Sequence, residues 1–437
     1  MNRRAATLLS INPERGPLSP RECLTQSHAD PAVRAPGAMR ECFRAIFILS
    51  AVLCLSGCAI YDRKGLPPQR AQALLAKPGP ATFQPSPELE KRILALNPEH
   101  VTDADIRETL SQAPAPRVIN IHGGIAPVHK MMISFSHFLM GMGYPQSSLT
   151  NPSDGTYTFS CYEDADIITG QIAWFYERDG LRPVIIGHSQ GGMQAVKVLY
   201  YLAGSYGNKL YVWNPYTWQK EDRYEITDPL TGQLRPVLGL KIPYVSAVGA
   251  GGPTRLLPSQ WSMNGKLRAI PDTVEDFTGF CKGRDLLGGE FLGYGSLNEY
   301  YAKGTAKVRN VWLPSSYRHG HVPDTQHLLQ TYQLREWINN YHPPDKPVDT
   351  PKLDVKFDGD SKNILWAADV WYSIKKHWVL ELQRLVQAKS DRISGVRPSP
   401  GTATPARQEG AESSERDRSL HLATPETGAL QSTSTTP

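Results

Sequence analysis

The sequence predicts an α/β fold in which a mostly parallel sheet is flanked by helices. Between residues 115 and 340, short apolar segments typical of strands alternate with longer segments whose apolar residues recur at helical spacing. This alternation is typical of parallel sheets, because a crossover helix joins each strand to the next. Glycine-rich turns at 122–124 and 187–192 each follow a predicted strand and precede a predicted helix, which supports the same fold.

The predicted elements follow one another regularly as far as residue 203. A helical region at 89–113 comes first, and the elements after it are a strand at 117–121, helices at 126–142 and 163–178, a strand at 183–187 and a helix at 190–203. Later elements are a strand at 242–249, short apolar segments at 277–281 and 308–313, and helices at 324–341 and 364–388. The stretch at 146–162 is a departure, because it shows no clear strand.

Residues 1–57 carry the pattern of a targeting segment. Residues 1–38 are polar and Pro-rich, and we expect them to be a non-structural extension that precedes a true start at Met39. Arg40 and Arg44 then precede an apolar stretch at 45–55 that is too short to span a bilayer. Residues 39–57 are therefore expected to be a signal peptide.

The end of this segment is similar to a bacterial lipoprotein signal. Residues 55–58, Leu-Ser-Gly-Cys, resemble the lipobox, in which the cysteine receives a lipid through a thioether. The resemblance implies a lipid anchor on Cys58 that holds the protein at a membrane of the bacterial cell envelope. Ala59 stands where an aspartate would suggest inner-membrane retention, so the outer membrane is expected. The alternative is a plain secretory signal or a short membrane anchor.

Composition divides the remaining chain. Residues 58–88 are predicted to be the lipidated cysteine and a linker, and 89–342 to be the main domain, with a cap-like insertion at about 204–241 that is rich in Tyr and Trp. These rings are expected either to line a pocket over the site or simply to pack the insertion onto the sheet. Residues 343–389 are expected to be a spacer and a C-terminal helix. Residues 390–437 contain almost no large apolar side chains and are predicted to be a disordered tail.

The charge and the cysteines limit the possible partners. A formal net charge of +5 over 437 residues, without a basic stripe, argues against nucleic-acid binding. The histidines lack metal-ligand spacing, so neither a metal nor a cofactor is expected. Cys161 and Cys281 would remain after export and lipidation. They are predicted either to form one disulfide or to be two separate buried thiols.

The turn at 187–191, Gly-His-Ser-Gln-Gly, indicates an exposed nucleophile. The spacing matches a tight strand-to-helix turn that holds a serine hydroxyl clear of the sheet. Serine alone is a weak nucleophile, so Ser189 needs a base, a group that orients the base, and donors for the oxyanion. The alternative is an ordinary glycine-rich turn with an uninvolved serine.

A second turn and two strand ends supply candidates for these roles. The strand that ends in His122-Gly123-Gly124 precedes Ser189 by about 65 residues. Together these motifs resemble the α/β-hydrolase superfamily of lipases and esterases over residues 115–340. The resemblance implies oxyanion donors on the backbone of Gln190 and of Gly124 or Ile125. The same resemblance implies that His122, Gly123 and His188 lie near the site.

The order Ser, acid, His in that superfamily guides the choice of the other two residues. Asp285 ends an apolar segment and is the predicted acid, with Asp276 second and Asp272 possible. His321 follows the last predicted strand and is the predicted base, with His319 as its rival. His327 is expected to face solvent or core.

The sequence therefore predicts a membrane-anchored serine hydrolase that cleaves a carboxylic ester of a lipid or other small molecule through an acyl-enzyme. An acyltransferase and an amidase or peptidase on the same fold are alternatives. A catalytically inactive, tethered binding or scaffold protein is another. The sequence gives no indication of the oligomeric state.

Overall fold

The computed structural model describes residues 65–252, 258–290, 297–344, 357 and 359–393. Several predictions fall outside these residues. They are the extension at 1–38, the signal peptide at 39–57, the lipidated Cys58, most of the spacer after residue 344, and the tail beyond residue 393.

The fold is a mixed α/β structure built on a five-stranded parallel sheet. Within the described residues the strands are β1 (Val118–Ile121), β2 (Val184–His188), β3 (Trp213–Asn214), β4 (Gln219–Lys220), β5 (Glu225–Thr227), β6 (Leu234–Pro236), β7 (Ile242–Val248), β8 (Ala269–Ile270), β9 (Val274–Cys281), β10 (Tyr301–Ala302) and β11 (Lys307–Trp312). The central sheet has the order β1-β2-β7-β9-β11, and every neighbouring pair in it is parallel. The predicted α/β class with a mostly parallel sheet is confirmed.

Helices cover both faces of this sheet. The described part contains α1 (Pro68–Leu75), α2 (Pro87–Ala95), α3 (Asp103–Glu108), α4 (Ala126–Gly141), α5 (Gln146–Leu149), α6 (Ala165–Asp179), α7 (Gln190–Leu202), α8 (Tyr332–Asn339) and α9 (Ile364–Ile393). Helices α4, α8 and α9 pack on one face, and α6 and α7 pack on the other. Because both faces are covered, β2 and β7 are buried along their whole length, which explains their continuous apolar sequences.

The predicted strands and the longer helices up to α7 agree with the structure to within a few residues. The helix predicted at 324–341 is instead a 3₁₀ turn, Gln326–Leu329, followed by the shorter α8. In the stretch without a clear strand, Phe159 makes a single parallel bridge to Ile121 of β1. A single bridge leaves no sequence periodicity, and this explains why the strand pattern was absent.

The part of the predicted linker that the structure describes is folded. Helix α1 lies against α6, where the guanidinium of Arg178 donates hydrogen bonds to the carbonyl oxygens of Leu74, Leu75 and Lys77. The prediction that the linker extends to residue 88 is therefore wrong, because the chain is already folded from residue 65 onward. The Pro-rich composition reflects helix starts, since Pro68, Pro80 and Pro87 each open a helical turn.

The insertion at 204–241 does not cover the strand ends where the serine lies. The insertion begins after α7, contains the hairpins β3–β4 and β5–β6, and ends at the start of β7. Its aromatic side chains pack on α6, where the ring centroids of Trp174 and Tyr216 are 5.4 Å apart. The Tyr176 hydroxyl donates to Asp228 at 3.1 Å. The insertion therefore packs onto the fold, as the second prediction had it, and does not form a cap, because it lies along α6 and at the edge where the strands begin.

Helix α9 completes the core rather than extending beyond it. Trp366, Trp371 and Trp378 of this helix are fully buried in the same cluster as α4 and the sheet. The helix therefore belongs to the same compact unit as the segment at 89–342. No helix of the described residues is long and apolar enough to cross a membrane.

The two cysteines of the described chain are separate thiols. Cys161 and Cys281 are both buried and free. Cys281 Sγ donates to the carbonyl oxygen of Asn298 at 3.2 Å, and burial raises the pKa of its thiol. The disulfide alternative is not what the structure shows.

Candidate functional site

Ser189 occupies a sharp turn between β2 and α7. Its φ is 55° and its ψ is −122°, a backbone conformation that non-glycine residues rarely adopt. The Ser189 N–H donates to the carbonyl oxygen of Val248 at 2.8 Å, which fastens the turn to β7. A strained residue held by its surroundings in this way is typical of functional sites.

The glycines on either side are required by close backbone contacts. A Cβ on Gly191 would lie 2.2 Å from the carbonyl oxygen of Ile121, and one on Gly187 would lie 2.5 Å from that of Gly191. These obstacles are backbone atoms that cannot swing aside. The Gly-x-Ser-x-Gly spacing therefore reflects packing of the turn against β1 and against itself.

His319 is the histidine that contacts Ser189. Its Nε2 lies 2.9 Å from Ser189 Oγ, and its Nδ1 lies 2.7 Å from Asp285 Oδ2. Because a carboxylate only accepts, the proton of the neutral ring lies on Nδ1, and Nε2 is left to accept from the serine hydroxyl. Ser189, His319 and Asp285 thus form one continuous hydrogen-bonded chain.

The prediction of His321 as the base is corrected by this geometry. Both histidines belong to the 3₁₀ turn His319–His321, in which residues two apart point in different directions. The side chain of His321 is exposed, and its carbonyl oxygen accepts from Asn363 Nδ2 at 2.8 Å. Spacing alone could not separate the two, because they follow the same strand at nearly the same distance.

Asp285 lies where the sequence placed the acid. The residue is 3% exposed, its Oδ1 accepts from the N–H of Gly288 at 3.0 Å, and Lys282 Nζ lies 3.8 Å from its Oδ2. Burial by itself would raise the pKa of Asp285. The hydrogen bond from His319 and the nearby positive charges outweigh it and hold the pKa below its usual range. The carboxylate is therefore charged near neutral pH.

The runner-up acids serve other sites. Asp276 Oδ2 is 3.1 Å from both His377 Nε2 and Lys376 Nζ. Although burial raises the pKa of Asp276, these partners bring it down to about 2. Asp272 accepts from the N–H of Ala306 at 3.0 Å in a loop.

His327 Nε2 lies 3.2 Å from the carbonyl oxygen of Lys362 and does not reach the site.

His188 holds the backbone of His319. Its Nε2 lies 2.6 Å from the carbonyl oxygen of His319, so this ring nitrogen carries a proton and donates it. The ring is fully buried, and burial together with the nearby His319 lowers the pKa of His188 to about 3. The imidazole is therefore neutral. The residue is a positioning residue, as its place beside the site suggested.

The glycine loop at 122–124 lies directly against the serine turn. A Cβ on Gly123 would be 3.0 Å from Ser189 Cβ, so glycine lets this backbone approach the serine. Among the described residues, no acceptor takes the N–H of Gln190, Gly124 or Ile125. The three amides that the sequence singled out are thus available to a ligand.

The sequence analysis missed two residues near the site. Glu290 is fully buried, and its Oε2 accepts from the N–H groups of Lys282 (2.6 Å) and Gly283 (2.7 Å), which fixes the loop that carries Asp285. Gly249 has a φ of 58°, and a Cβ there would be 2.9 Å from the His319 ring. The glycine-rich end of β7 could have indicated the second residue. Nothing local indicated the first.

The described residues contain no group of three or more His, Cys, Asp or Glu side chains that could hold a metal ion. Comparison with known proteins finds no matching family model, no matching curated protein and no matching solved structure.

Proposed function

We propose that this protein is a serine hydrolase that cleaves a carboxylic ester through an acyl-enzyme on Ser189. The observation that carries the proposal is the hydrogen-bonded chain Ser189–His319–Asp285, with contacts of 2.9 and 2.7 Å, at a strained serine turn. This is the arrangement that a serine needs to become a nucleophile.

The residues divide the reaction between them. As Ser189 Oγ attacks the ester carbonyl carbon, its proton passes to His319 Nε2, and the charged Asp285 stabilises the imidazolium. The negative oxygen of the tetrahedral intermediate accepts from the amide of Gln190 and from the glycine loop at 123–125. His319 then protonates the departing alkoxide, and the same residue removes a proton from the water that hydrolyses the acyl-enzyme.

The serine is tested by covalent labelling. Wild-type protein is expected to react with a fluorescent fluorophosphonate and to release nitrophenol from a short-chain nitrophenyl ester, and Ser189→Ala is expected to do neither. Ser111→Ala is the control, because Ser111 is an exposed serine whose hydroxyl donates to the carbonyl oxygen of Arg107. Equal labelling of wild type and Ser189→Ala in folded samples would contradict the proposal.

The alternatives become outcomes of the same assay. Labelling of Ser189 with product formation only when an acceptor alcohol is added would indicate an acyltransferase. Labelling with cleavage of amides in preference to esters would indicate an amidase or peptidase. A folded protein that neither labels nor turns over would be the inactive binding protein.

We also propose that the hydrolase is anchored in the bacterial envelope through a lipid on Cys58. The proposal rests on the lipobox-like sequence at 55–58 and the short apolar stretch before it. Cells that produce the full chain and are fed radiolabelled palmitate are expected to label the protein, and Cys58→Ala is expected to abolish the label. Cys54→Ala, a cysteine within the expected signal peptide, serves as the control. A label that survives Cys58→Ala would exclude this anchor.

A further inference from the structure

The glycine loop next to Ser189 is held at two successive carbonyl groups. His122 Nδ1 lies 2.7 Å from the carbonyl oxygen of Gly123, and the Tyr162 hydroxyl donates to the carbonyl oxygen of Gly124. Burial lowers the pKa of His122 to about 4, so its ring is neutral and Nδ1 carries the donated proton. Gly124 thus has both of its flanking peptide groups held by side chains.

Holding a carbonyl also fixes the amide of the next residue. In a planar trans peptide the C=O and the following N–H lie in one plane and point in opposite directions. The bond from His122 therefore sets the direction of the Gly124 N–H, and the bond from Tyr162 sets that of the Ile125 N–H. These are the amides that no described acceptor takes.

Gly124 needs such restraint more than another residue would. Glycine has the widest backbone freedom. A loop made of glycines lets its backbone come close to Ser189, but it is less rigid than a loop with side chains. A Cβ on Gly124 would be 2.5 Å from Gln190 Oε1, so a side chain at this position would have to displace the Gln190 amide. The hydroxyl of Tyr162 lies near the same point, 3.3 Å from where that Cβ would be.

Tyr162 reaches the loop because of the single bridge beside β1. The N–H of His122 donates to the carbonyl oxygen of Phe159 at 3.2 Å, and the N–H of Phe159 donates to the carbonyl oxygen of Asn120. This pairing places residues 159–162 next to the end of β1. The carbonyl oxygen of Cys161 then accepts from Gln194 Nε2 at 3.1 Å, which ties the segment to α7 as well.

We propose that Tyr162 is a positioning residue for the oxyanion site. Its hydroxyl holds the Gly124–Ile125 peptide so that the free amides of the loop are oriented before substrate arrives. Preorganised donors of this kind stabilise the charge that develops in the transition state without reorganisation. The inference rests on the proposed hydrolase function and adds a residue outside the Ser–His–Asp chain.

The test is Tyr162→Phe, which removes the hydroxyl and keeps the ring. We expect kcat for nitrophenyl ester hydrolysis to fall about tenfold with little change in KM. This is less than the 10²–10³-fold loss typical when an oxyanion donor itself is removed, because the amides remain. Phenylboronic acid forms a tetrahedral anion on the serine. Its inhibition constant should rise by a similar factor, because the variant binds this anion more weakly.

Tyr157→Phe is the matched control. Tyr157 lies two residues before the bridge at Phe159, and the variant also loses a hydroxyl hydrogen bond, in which the Tyr157 hydroxyl accepts from Gln146 Nε2 at 2.7 Å. Rates are expressed per active site, counted with the fluorophosphonate, so that unfolded protein does not lower kcat.

Two results would overturn the inference. One is a Tyr162→Phe variant that matches Tyr157→Phe in kcat and boronate affinity. The other is a rise in KM alone, which would make Tyr162 a wall of the substrate pocket. Absence of Ser189-dependent labelling in wild type is a separate failure, that of the proposed function itself.

Discussion

Replacing His319 by alanine is expected to lower kcat for ester hydrolysis by on the order of 10⁴- to 10⁶-fold, whereas His321→Ala should stay within about threefold of wild type. The physical reason is the position of one ring. His319 Nε2 is 2.9 Å from Ser189 Oγ, whereas the side chain of His321 is exposed. Without it, the serine keeps its proton and the departing alkoxide receives none.

The comparison is well matched, because the two histidines stand two residues apart on one 3₁₀ turn. Both rates are measured with a short-chain nitrophenyl ester on samples whose folding is checked by circular dichroism. His321 is exposed, so its loss should change neither the fold nor the site. Loss of turnover in His321→Ala together with normal turnover in His319→Ala would refute the geometry described above.

Replacing Glu381 by glutamine is expected to cost about 3–5 kcal/mol of the free energy of unfolding at pH 7. Glu381 of α9 is 1% exposed and accepts hydrogen bonds from Arg182, from Nη2 at 2.6 Å and from the backbone N–H at 2.7 Å. Arg182 also reaches Glu275 Oε1 at 2.6 Å. Glutamine keeps the shape but leaves a buried guanidinium without its main counter-charge.

This ion pair matters to the site because Arg182 comes two residues before β2, and Ser189 directly follows that strand. Urea unfolding of wild type and of Glu381→Gln measures the difference in the free energy of unfolding. Asp360→Asn is the control, since the Asp360–Lys362 pair is exposed and such pairs contribute about 0–1 kcal/mol. A cost for Glu381→Gln no larger than that of the control would contradict the prediction.

The same pair predicts a pH dependence. Burial alone would raise the pKa of Glu381. Arg182 and Arg384 outweigh it, so the folded pKa lies below the ordinary value of about 4.3. A carboxylate with a lowered folded pKa stabilises the fold fully above its unfolded pKa and loses this contribution as pH falls through the folded pKa. The difference between wild type and Glu381→Gln should therefore shrink below about pH 4.

Local sequence signals predicted much of the site. The strands β1, β2, β7 and β9, the turn at Ser189 and the acid Asp285 agree with the structure. These features depend on interactions within a few residues. Gly187 and Gly191 are glycines because the turn packs against neighbouring backbone, and a buried parallel strand must be apolar on both faces. A single sequence records such short-range requirements directly.

Only the tertiary structure decided the rest. The choice of His319 over His321 depends on the direction of a side chain on a turn, and that direction is set by His188, Gly249 and Asp285, which come from three other parts of the chain. The insertion at 204–241 packs on α6 because of contacts with residues far away in sequence. Tyr162 reaches Gly124 across a gap of 38 residues. The sequence by itself therefore determined the sheet and the serine turn, since periodicity and glycine spacing encode them locally. Long-range packing determined which histidine contacts Ser189, where the insertion lies and which hydroxyl holds the glycine loop.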